Sequence, residues 1–249
     1  MELITSVRNP KVLSWRSLKE KKSRDELHAF LIEGPKMVEE ALLSPFPVLT
    51  VLVREGYTPS FPVPDTIPVY VLSESVFQSV CDTKTPQGIA AVAGISVQAL
   101  KGSLLLALDG IQDPGNMGTI IRTADAAGFG GIILSPDCTD VFSPKVVRAT
   151  MGSVFRMAFS FPGSLPDALS LYRSQGFSII SSQLDGDPFY SRSPVPEPLI
   201  LIIGNEGNGV SDDVKSVATH RFRLPMIGGA ESLNAAVAAG IMMYDLVNR

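Results

Sequence analysis

Apolar residues are distributed differently in the two halves of the chain. In the first half, short apolar runs alternate with more polar segments and with a Pro-rich stretch at 58–68 that predicts a loop. The segment PKMVEEALL (35–43), with Pro in its first turn, is typical of a helix. The apolar runs predict the strands of a small α/β unit, at FLIE (30–33), VLTVLV (48–53), VYVL (69–72) and GIAAVA (88–93).

The second half contains apolar runs that are continuous rather than alternating. Strands of this kind are buried on both faces, which favours a parallel sheet covered by helices, and hence an α/β fold. The predicted strands are LLLALD (104–109), GIILS (131–135), FSIIS (177–181) and LILIIG (199–204). The predicted helices cover residues 116–128, 144–152, 164–175, 210–218 and 231–248.

A boundary between the halves falls at SVQALKGS (96–103), where small and polar residues prevail. We therefore predict two domains, residues 1–98 and residues 103–249. The chain has 249 residues, of which 45% are hydrophobic and 18% charged, so it can bury sizeable cores.

Composition then excludes several classes of protein. No apolar run approaches the roughly 18–20 residues of a membrane helix, and the first residues lack the pattern of a signal peptide. Two cysteines without a CxxC pair, and only two histidines, argue against a disulfide framework and a zinc site. We expect a cytoplasmic protein with neither a membrane segment nor a metal ion.

Positive charge is concentrated at the start of the chain. The net charge is −4, yet residues 1–24 carry seven basic side chains against two acidic ones. Such a segment can bind the phosphates of nucleic acid, with Trp15 stacking on a base. The plainer interpretations are a solvated helix face for the charges and a packed position for Trp15, and the sequence alone favours these.

Three strand-to-helix turns in the second half carry polar residues where α/β sheets bind ligands, beyond the carboxyl ends of the strands. In the first, Asn116 is the last residue of the turn DPGN and is expected to cap a helix that Gly128 ends. Arg122 lies within that helix, where it either serves a ligand or pairs with Asp125 on a solvent-exposed face. The sequence alone leaves these two alternatives open.

The second turn, IIGNEGNGVS (202–211), is rich in glycine. Gly204, Gly207 and Gly209 permit positive φ angles and close approach of the backbone to a ligand. The spacing is neither GxGxxG nor GxxxxGK[ST], so it supports neither a dinucleotide site nor a P-loop. Glu206 could meet a cationic ligand or a hydroxyl group, or merely balance the helix dipole.

The third turn follows a short predicted strand and leads into the last helix. Ser232 and Asn234 are expected in the first turn of that helix, where polar groups can face a ligand. Alternatively, Ser232 simply caps the helix. The Ala- and Gly-rich residues 235–240 permit close approach of another helix, either of the same chain or of a second copy.

Taken together, these turns resemble the motifs of the SpoU (TrmH-like) branch of the SPOUT RNA methyltransferases. NMGTIIR resembles the first motif, IIGNEGNGVS the second and LPMIGGAESLNAAVAAG the third, in the family's order. LPM and NAAVA depart mildly from the more frequent IPM and NVSVA. The segments ITSVRNPKV, FLIEGPKMVEEAL and TPQGIAAVA are similar to the family's N-terminal substrate-binding domain. The resemblance thus spans nearly the whole chain.

The resemblance implies S-adenosylmethionine-dependent methyl transfer to a ribose 2′-hydroxyl of RNA. The two-domain form of the chain favours ribosomal RNA over transfer RNA. It also implies a trefoil knot in the C-terminal α/β domain, and a homodimer with active sites near the interface. Matched motif by motif, it places the cofactor against the backbone of Gly204, Leu224, Met226 and Leu233. The polar active-site set that it implies is Asn116, Arg122, Glu206, Ser232 and Asn234.

The chemistry of the reaction singles out one of these residues. Methyl transfer requires alignment of the acceptor hydroxyl and stabilisation of its developing negative charge. No His stands in the three turns, so Arg122 is the expected catalytic group. It either stabilises the oxyanion or accepts the proton, and the first role is easier because Arg seldom loses its own proton. The other polar residues would position the ribose, Arg122 and the loops.

Two other classes of function fit parts of the sequence. An RNA-binding protein without turnover could keep the same scaffold, although the complete polar set argues against it. A dinucleotide-dependent oxidoreductase fits the buried strands and the Gly-rich turn, but GxGxxG and its acidic partner are missing.

Overall fold

The computed structural model describes residues 3–96 and 98–248, which divide into two compact units. One unit takes in the chain up to Ser96 together with Asp140–Arg156. The other contains the residues between these two segments and the chain from Met157 onwards. Glu2, one of the two acidic residues of the basic N-terminal segment, lies outside the described residues.

The first unit is a mixed sheet with helices packed on it. Its strands are β1 (Leu3–Ile4), β2 (Ala29–Glu33), β3 (Val48–Arg54), β4 (Val69–Leu72) and β5 (Ile89–Gly94). Their order is β1-β4-β3-β5-β2, in which β5 runs antiparallel to β3 and β2 and the other pairs are parallel. Its helices are α1 (Pro10–Ser17), α2 (Lys21–Leu27), α3 (Pro35–Leu43), α4 (Glu74–Val80) and α6 (Pro144–Ala149). The strands and the helix predicted here are confirmed.

Aromatic packing explains why Asp140–Arg156 belongs to the first unit. The ring of Phe30 on β2 lies 5.0 Å from that of Phe142 and 6.2 Å from that of Phe46. Phe155 closes the cluster, 5.7 Å from Phe46. The helix predicted at 144–152 ends early, at Ala149, and is followed by a 3₁₀ turn at Ser153–Phe155 that brings Phe155 into this cluster.

Two of the basic side chains near the start of the chain are structural. Arg24 is only 3% exposed, and its guanidinium lies 2.6 Å from the Asp140 carboxylate. Lys19 donates from Nζ to the carbonyls of Ser79 and Cys81, at 2.9 and 2.7 Å. Treating the whole segment as a solvated or RNA-binding set is therefore wrong for these two residues.

Trp15 occupies the packed position that the plainer interpretation assigns to it. It is buried on α1, and its ring centroid lies 5.2 Å from that of Tyr70 on β4. Its indole is therefore part of the core of the first unit. In this buried position, Trp15 cannot stack on an RNA base.

The second unit is a six-stranded parallel sheet flanked by helices. Its strands are β6 (Leu104–Asp109), β7 (Ile132–Leu134), β8 (Phe159–Ser160), β9 (Ser178–Pro188), β10 (Leu199–Gly204) and β11 (His220–Arg223). Their order is β11-β9-β10-β6-β7-β8, with every pair parallel. Its helices are α5 (Pro114–Ala126), α7 (Leu165–Ser174), α8 (Asp212–Val217) and α9 (Ala235–Val247).

The continuous apolar runs have the predicted cause. Every residue of β10 is buried, as are all residues of β6 except Leu104, because helices cover both faces of the sheet. The predicted parallel α/β fold is confirmed. One strand differs, since β9 extends from the predicted end at Ser181 to Pro188. Within the described residues, no helix combines the length and apolar character needed to cross a membrane.

Loss of the Arg24 guanidinium should destabilise the protein strongly. Arg24→Met leaves the Asp140 carboxylate without its charged partner, and breaking a buried ion pair costs about 3–5 kcal/mol. Lys22→Met is the matched control, because the Lys22–Glu26 pair is exposed and such pairs are worth at most about 1 kcal/mol. Urea unfolding measures both variants, and equal losses of stability would contradict the structural role of Arg24.

Candidate active site

The three predicted turns meet at the carboxyl edge of the second sheet. β6 and β10 are neighbours in register, with Asp109 opposite Gly204, so the first and second turns leave the sheet side by side. Their bases are linked directly. The Asp109 carboxylate accepts the Ser211 N–H at 2.7 Å, and Asn205 donates from its amide to the Gly110 carbonyl at 2.7 Å.

The Gly-rich turn folds back on its own strand. Asn205 and Gly209 exchange two backbone hydrogen bonds of 2.9 Å, and Gly209 has a φ of +69°. A Cβ on Gly204 would lie 2.2 Å from backbone atoms of Gly209 and Val210. Gly204 thus permits close approach of the turn itself, and Gly209 uses the positive φ that the sequence suggested. Gly207 does not adopt a positive φ.

Asn116 does not cap its helix, contrary to the expectation. α5 begins at Pro114, and Asp113 is the N-cap, its side chain accepting the Asn116 N–H at 2.8 Å. Asp before Pro is a favourable start because Pro suits the first helical position, where no N–H is needed. The Asn116 side chain is consequently available for other contacts.

A chain of side-chain hydrogen bonds joins the three turns through Asn116. Its amide nitrogen donates to Glu206 Oε1 at 3.0 Å, and its amide oxygen accepts from Asn234 Nδ2 at 2.9 Å. Glu206 also accepts the backbone N–H groups of Asp113 and Gln112, at 3.2 and 3.3 Å. One residue from each turn therefore takes part in a single network, which the sequence could not show.

The network keeps Glu206 ionised. Partial burial pushes the pKa of its carboxyl upwards, but hydrogen bonds from Asn116 and from the N–H groups of Asp113 and Gln112 outweigh burial and hold the pKa below the ordinary value for Glu. Glu206 is therefore an acceptor that orients Asn116, and a poor general base.

In the third turn, Asn234 rather than Ser232 caps the last helix. α9 begins at Ala235, and Asn234 Oδ1 accepts the N–H groups of Ala236 and Val237 at 2.9 and 3.3 Å. The helix predicted from residue 231 thus starts later, and capping by Ser232 is wrong. The same amide of Asn234 caps the helix with its oxygen and contacts Asn116 with its nitrogen.

A cavity of about 370 Å³ lies between the second and third turns. Its wall includes Glu206, Ser232 and all four residues expected to contact a cofactor, which are Gly204, Leu224, Met226 and Leu233. Asn116 and Asn234 are not part of this wall. In the part of the chain that the structure describes, no group of three or more His, Cys, Asp or Glu residues could hold a metal ion.

Sequence reasoning missed one wall of this cavity. Residues Ser182–Asp185 of β9 line it, as does Lys215 of α8. The only signal in the sequence was position, because SQLD directly follows an apolar strand and therefore lies at the ligand-binding edge of an α/β sheet.

Arg122 lies apart from the network within a single chain. It is exposed on α5, and it is absent from the residues that line the cavity. Among residues 3–96 and 98–248 it forms no ion pair, so the alternative of a pair with Asp125 is not observed.

A parallel α/β sheet with a ligand-sized cavity and a polar network at its carboxyl edge defines the class of α/β proteins that bind a small ligand beyond the ends of their strands. Comparison with known families narrows this class. Residues 103–244 match the SpoU rRNA Methylase family, and residues 9–91 match the MRM3-like substrate binding domain. The chain therefore belongs to the SpoU rRNA methylase family. This membership excludes the dinucleotide-dependent oxidoreductase.

Individual relatives cover almost the whole chain. The 23S rRNA (guanosine(2553)-2′-O)-methyltransferase RlmP of Bacillus subtilis is 39% identical and covers 99% of each chain. A crystal structure of an AdoMet-bound rRNA methyltransferase from Sinorhizobium meliloti is 34% identical, with a TM-score of 0.89, covering 99% of this chain and 97% of that one. The SpoU methyltransferase AviRb from Streptomyces viridochromogenes, in complex with the cofactor AdoMet, is 26% identical with a TM-score of 0.82, covering 96% and 98%.

A methyl group at position 204 should open the Gly-rich turn. In Gly204→Ala the new Cβ meets backbone, which can move only if the turn unfolds, so we expect a loss of at least about 1–3 kcal/mol of stability. Gly163→Ala is the control, since its Cβ would meet nothing within 4 Å. Urea unfolding measures both, and a Gly204→Ala protein as stable as Gly163→Ala would contradict the close approach.

Proposed function

We propose that this protein transfers a methyl group from S-adenosylmethionine to a ribose 2′-hydroxyl of ribosomal RNA. The observation that carries the proposal is the hydrogen-bond network of Glu206, Asn116 and Asn234, which joins one residue from each of the three motifs beside a ligand-sized cavity. Such a network is what a site needs to hold two substrates in line.

The choice of ribosomal over transfer RNA is supported by relatives that span both units of the chain. RlmP and the Sinorhizobium meliloti protein both carry ribosomal RNA in their names, and both match this chain over 99% of its length. The match of residues 9–91 to a substrate-binding domain supports the further proposal that the first unit selects the RNA.

The cavity suits the proposed cofactor. S-adenosylmethionine supplies the electrophilic methyl group when it is bound. Leu224, Met226 and Leu233 provide apolar contacts for a nucleoside, while Glu206 and Ser232 provide polar atoms at the same cavity. Backbone of the Gly-rich turn forms another part of the wall. Mixed walls of this kind are typical of nucleotide-sized ligands.

Arg122 is the proposed catalytic residue. A ribose hydroxyl is a weak nucleophile that becomes reactive as it loses its proton, and a guanidinium beside it stabilises the negative charge that develops on the oxygen. Arg122 donates to the ribose oxygen and to an adjacent RNA phosphate, and the hydroxyl proton passes to water. Glu206, with its lowered pKa, keeps Asn116 and Asn234 in place and does not serve as the base.

Because Arg122 lies outside the cavity of its own chain, we propose that a second copy of the chain supplies it. α5, which carries Arg122, packs against α9, and α9 exposes Val237 and Tyr244 at 50% and 47%. These apolar residues are seven positions apart and thus lie on one face of the helix. A homodimer formed through this face buries them and brings Arg122 of one copy towards the cavity of the other.

The trefoil knot and the cytoplasmic location that the family resemblance implies stay predictions. Unfolding the protein with a pulling force on the two ends of the chain tests the knot, because a knotted chain tightens and its extended length stays shorter than the full contour length.

Mapping of 2′-O-methyl sites tests the function. Cells that lack the protein should lose a 2′-O-methyl group at one position of ribosomal RNA, which the wild type restores and Arg122→Ala does not.

Arg122→Ala should still bind S-adenosylmethionine with unchanged affinity, while its turnover falls at least about 100-fold, as for removal of other oxyanion-stabilising groups. Arg173→Ala, an exposed Arg on α7, serves as the control. Loss of a transfer RNA site instead would contradict the substrate, and normal turnover by Arg122→Ala would contradict its role.

Disruption of α9 tests the dimer. Val237→Asp places a charge on the proposed interface and should yield a monomer without activity, whereas Leu171→Asp, on the equally exposed Leu171 of α7, should stay dimeric. Light scattering measures the mass.

Mixed dimers of Arg122→Ala with Gly204→Ala chains should regain activity at one of their two sites if a partner supplies Arg122. A mixture that stays inactive while mixed dimers form would contradict the shared site.

A further inference from the structure

β9 contains an insertion that neither of its neighbours matches. Its pairing with β10 ends where Ser181 lies opposite Ile202. On its other side, β11 pairs Arg221 with Ser181 and the next residue, Phe222, with Asp187. Residues 182–186 of β9 therefore oppose no residue of β11. This five-residue segment, SQLDG, is an irregular bulge, and bulges recur beside active sites because they redirect side chains.

The bulge is held tightly against β11. A Cβ on Gly186 would lie 2.7 Å from backbone atoms of Arg221 and Phe222, so only glycine fits where the segment returns to the strand. The bulge is thus a defined element with a fixed exit from the sheet.

The position of the bulge in the sheet directs it into the cavity. β9 lies between β10, which leads into the second motif, and β11, which leads into the third. The four residues before Gly186, from Ser182 to Asp185, all line the cavity. No part of the cofactor has yet been assigned to these four residues, since the contacts assigned so far come from the second and third motifs alone.

Gln183 is the buried polar side chain of this wall. It is 9% exposed, and its amide nitrogen donates to the hydroxyl of Ser181, which is fully buried, at 3.0 Å. A carboxamide has two N–H donors and an acceptor oxygen. Within the described residues, the second N–H and the oxygen of Gln183 have no hydrogen-bond partner. A donor and an acceptor therefore remain side by side at the cavity.

We propose that Gln183 recognises the adenine base of S-adenosylmethionine through this donor and acceptor. A carboxamide matches an adenine edge, because its oxygen accepts from the exocyclic amine while its N–H donates to the adjacent ring nitrogen. Leu184, exposed to 68% on the same bulge, covers the apolar face of the ring. Ser181 sets the plane of the Gln183 amide from behind.

This inference rests on the proposed function, since it assigns a part of the cofactor to a wall of the same cavity. It adds a selectivity that the motifs do not supply. Hypoxanthine carries an oxygen in place of the amine of adenine, so it opposes the Gln183 oxygen with a second acceptor. The protein should therefore distinguish the two bases.

Binding of two ligands by calorimetry tests the proposal without turnover. The ligands are S-adenosylhomocysteine and S-inosylhomocysteine, which differ only in the base. Wild-type protein should bind the adenosine compound at least about tenfold more tightly. In Gln183→Leu this ratio should fall towards one, mainly through weaker binding of the adenosine compound. Gln175→Leu makes the same change at the exposed end of α7 and should leave the ratio unchanged.

A second variant covers the case in which leucine disturbs the fold. Gln183→Glu keeps the shape and the acceptor oxygen of the side chain and can accept from the Ser181 hydroxyl, but it removes the free donor. Binding of S-adenosylhomocysteine should therefore weaken at least about tenfold, while hypoxanthine stays disfavoured. Thermal unfolding without ligand checks both variants. A wild type that binds neither compound would overturn the proposed function together with this inference. Three results would overturn the role of Gln183 and leave the function standing. They are a wild type that binds both compounds equally, a preference that survives Gln183→Leu, and a Gln183→Glu protein that binds S-adenosylhomocysteine as tightly as the wild type.

Discussion

The hydrogen-bond network at the carboxyl edge of the second sheet depends on the side chain of Asn116. It donates to a carboxylate of the second motif and accepts from an amide of the third, so two loops almost 30 residues apart in sequence are held against the same helix start. Each of these hydrogen bonds is worth only about 1 kcal/mol by itself. Their value lies in geometry, because they fix the two loops that border the cavity relative to each other.

The network also shows how one helix start can serve two purposes. Asp113 takes over the capping of α5, and Pro114 fills the first helical position. Backbone N–H groups of the turn can then serve other acceptors, and those of Gln112 and Asp113 donate to the Glu206 carboxylate. The lowered pKa of Glu206 is the result, so this carboxylate keeps its charge to a lower pH than an ordinary Glu. A neutral, protonated Glu206 would lose these acceptor contacts as the pH falls through that lowered pKa.

The sequence predicted the architecture well because burial leaves a visible pattern. The apolar runs at 104–109 and 199–204 became β6 and β10 without a shift in either boundary. The sequence did not predict which of several neighbouring polar side chains caps a helix. Asp113 and Asn234 cap the helices in place of Asn116 and Ser232, and local composition permits either choice. The bulge of β9 has no apolar alternation to reveal it. Charge alone likewise did not show that Arg24 is buried, because its partner Asp140 lies far away in sequence.

The placement of Asp140–Arg156 has a consequence for how the chain can be divided. The chain leaves the second unit after Thr139 and returns to it at Met157, so no single peptide bond separates the two units. A fragment that begins after residue 98 would carry Phe142 and Phe155 without the aromatic partners supplied by Phe30 and Phe46. The two units therefore alternate along the chain, and no continuous fragment contains one complete unit without also containing a segment of the other.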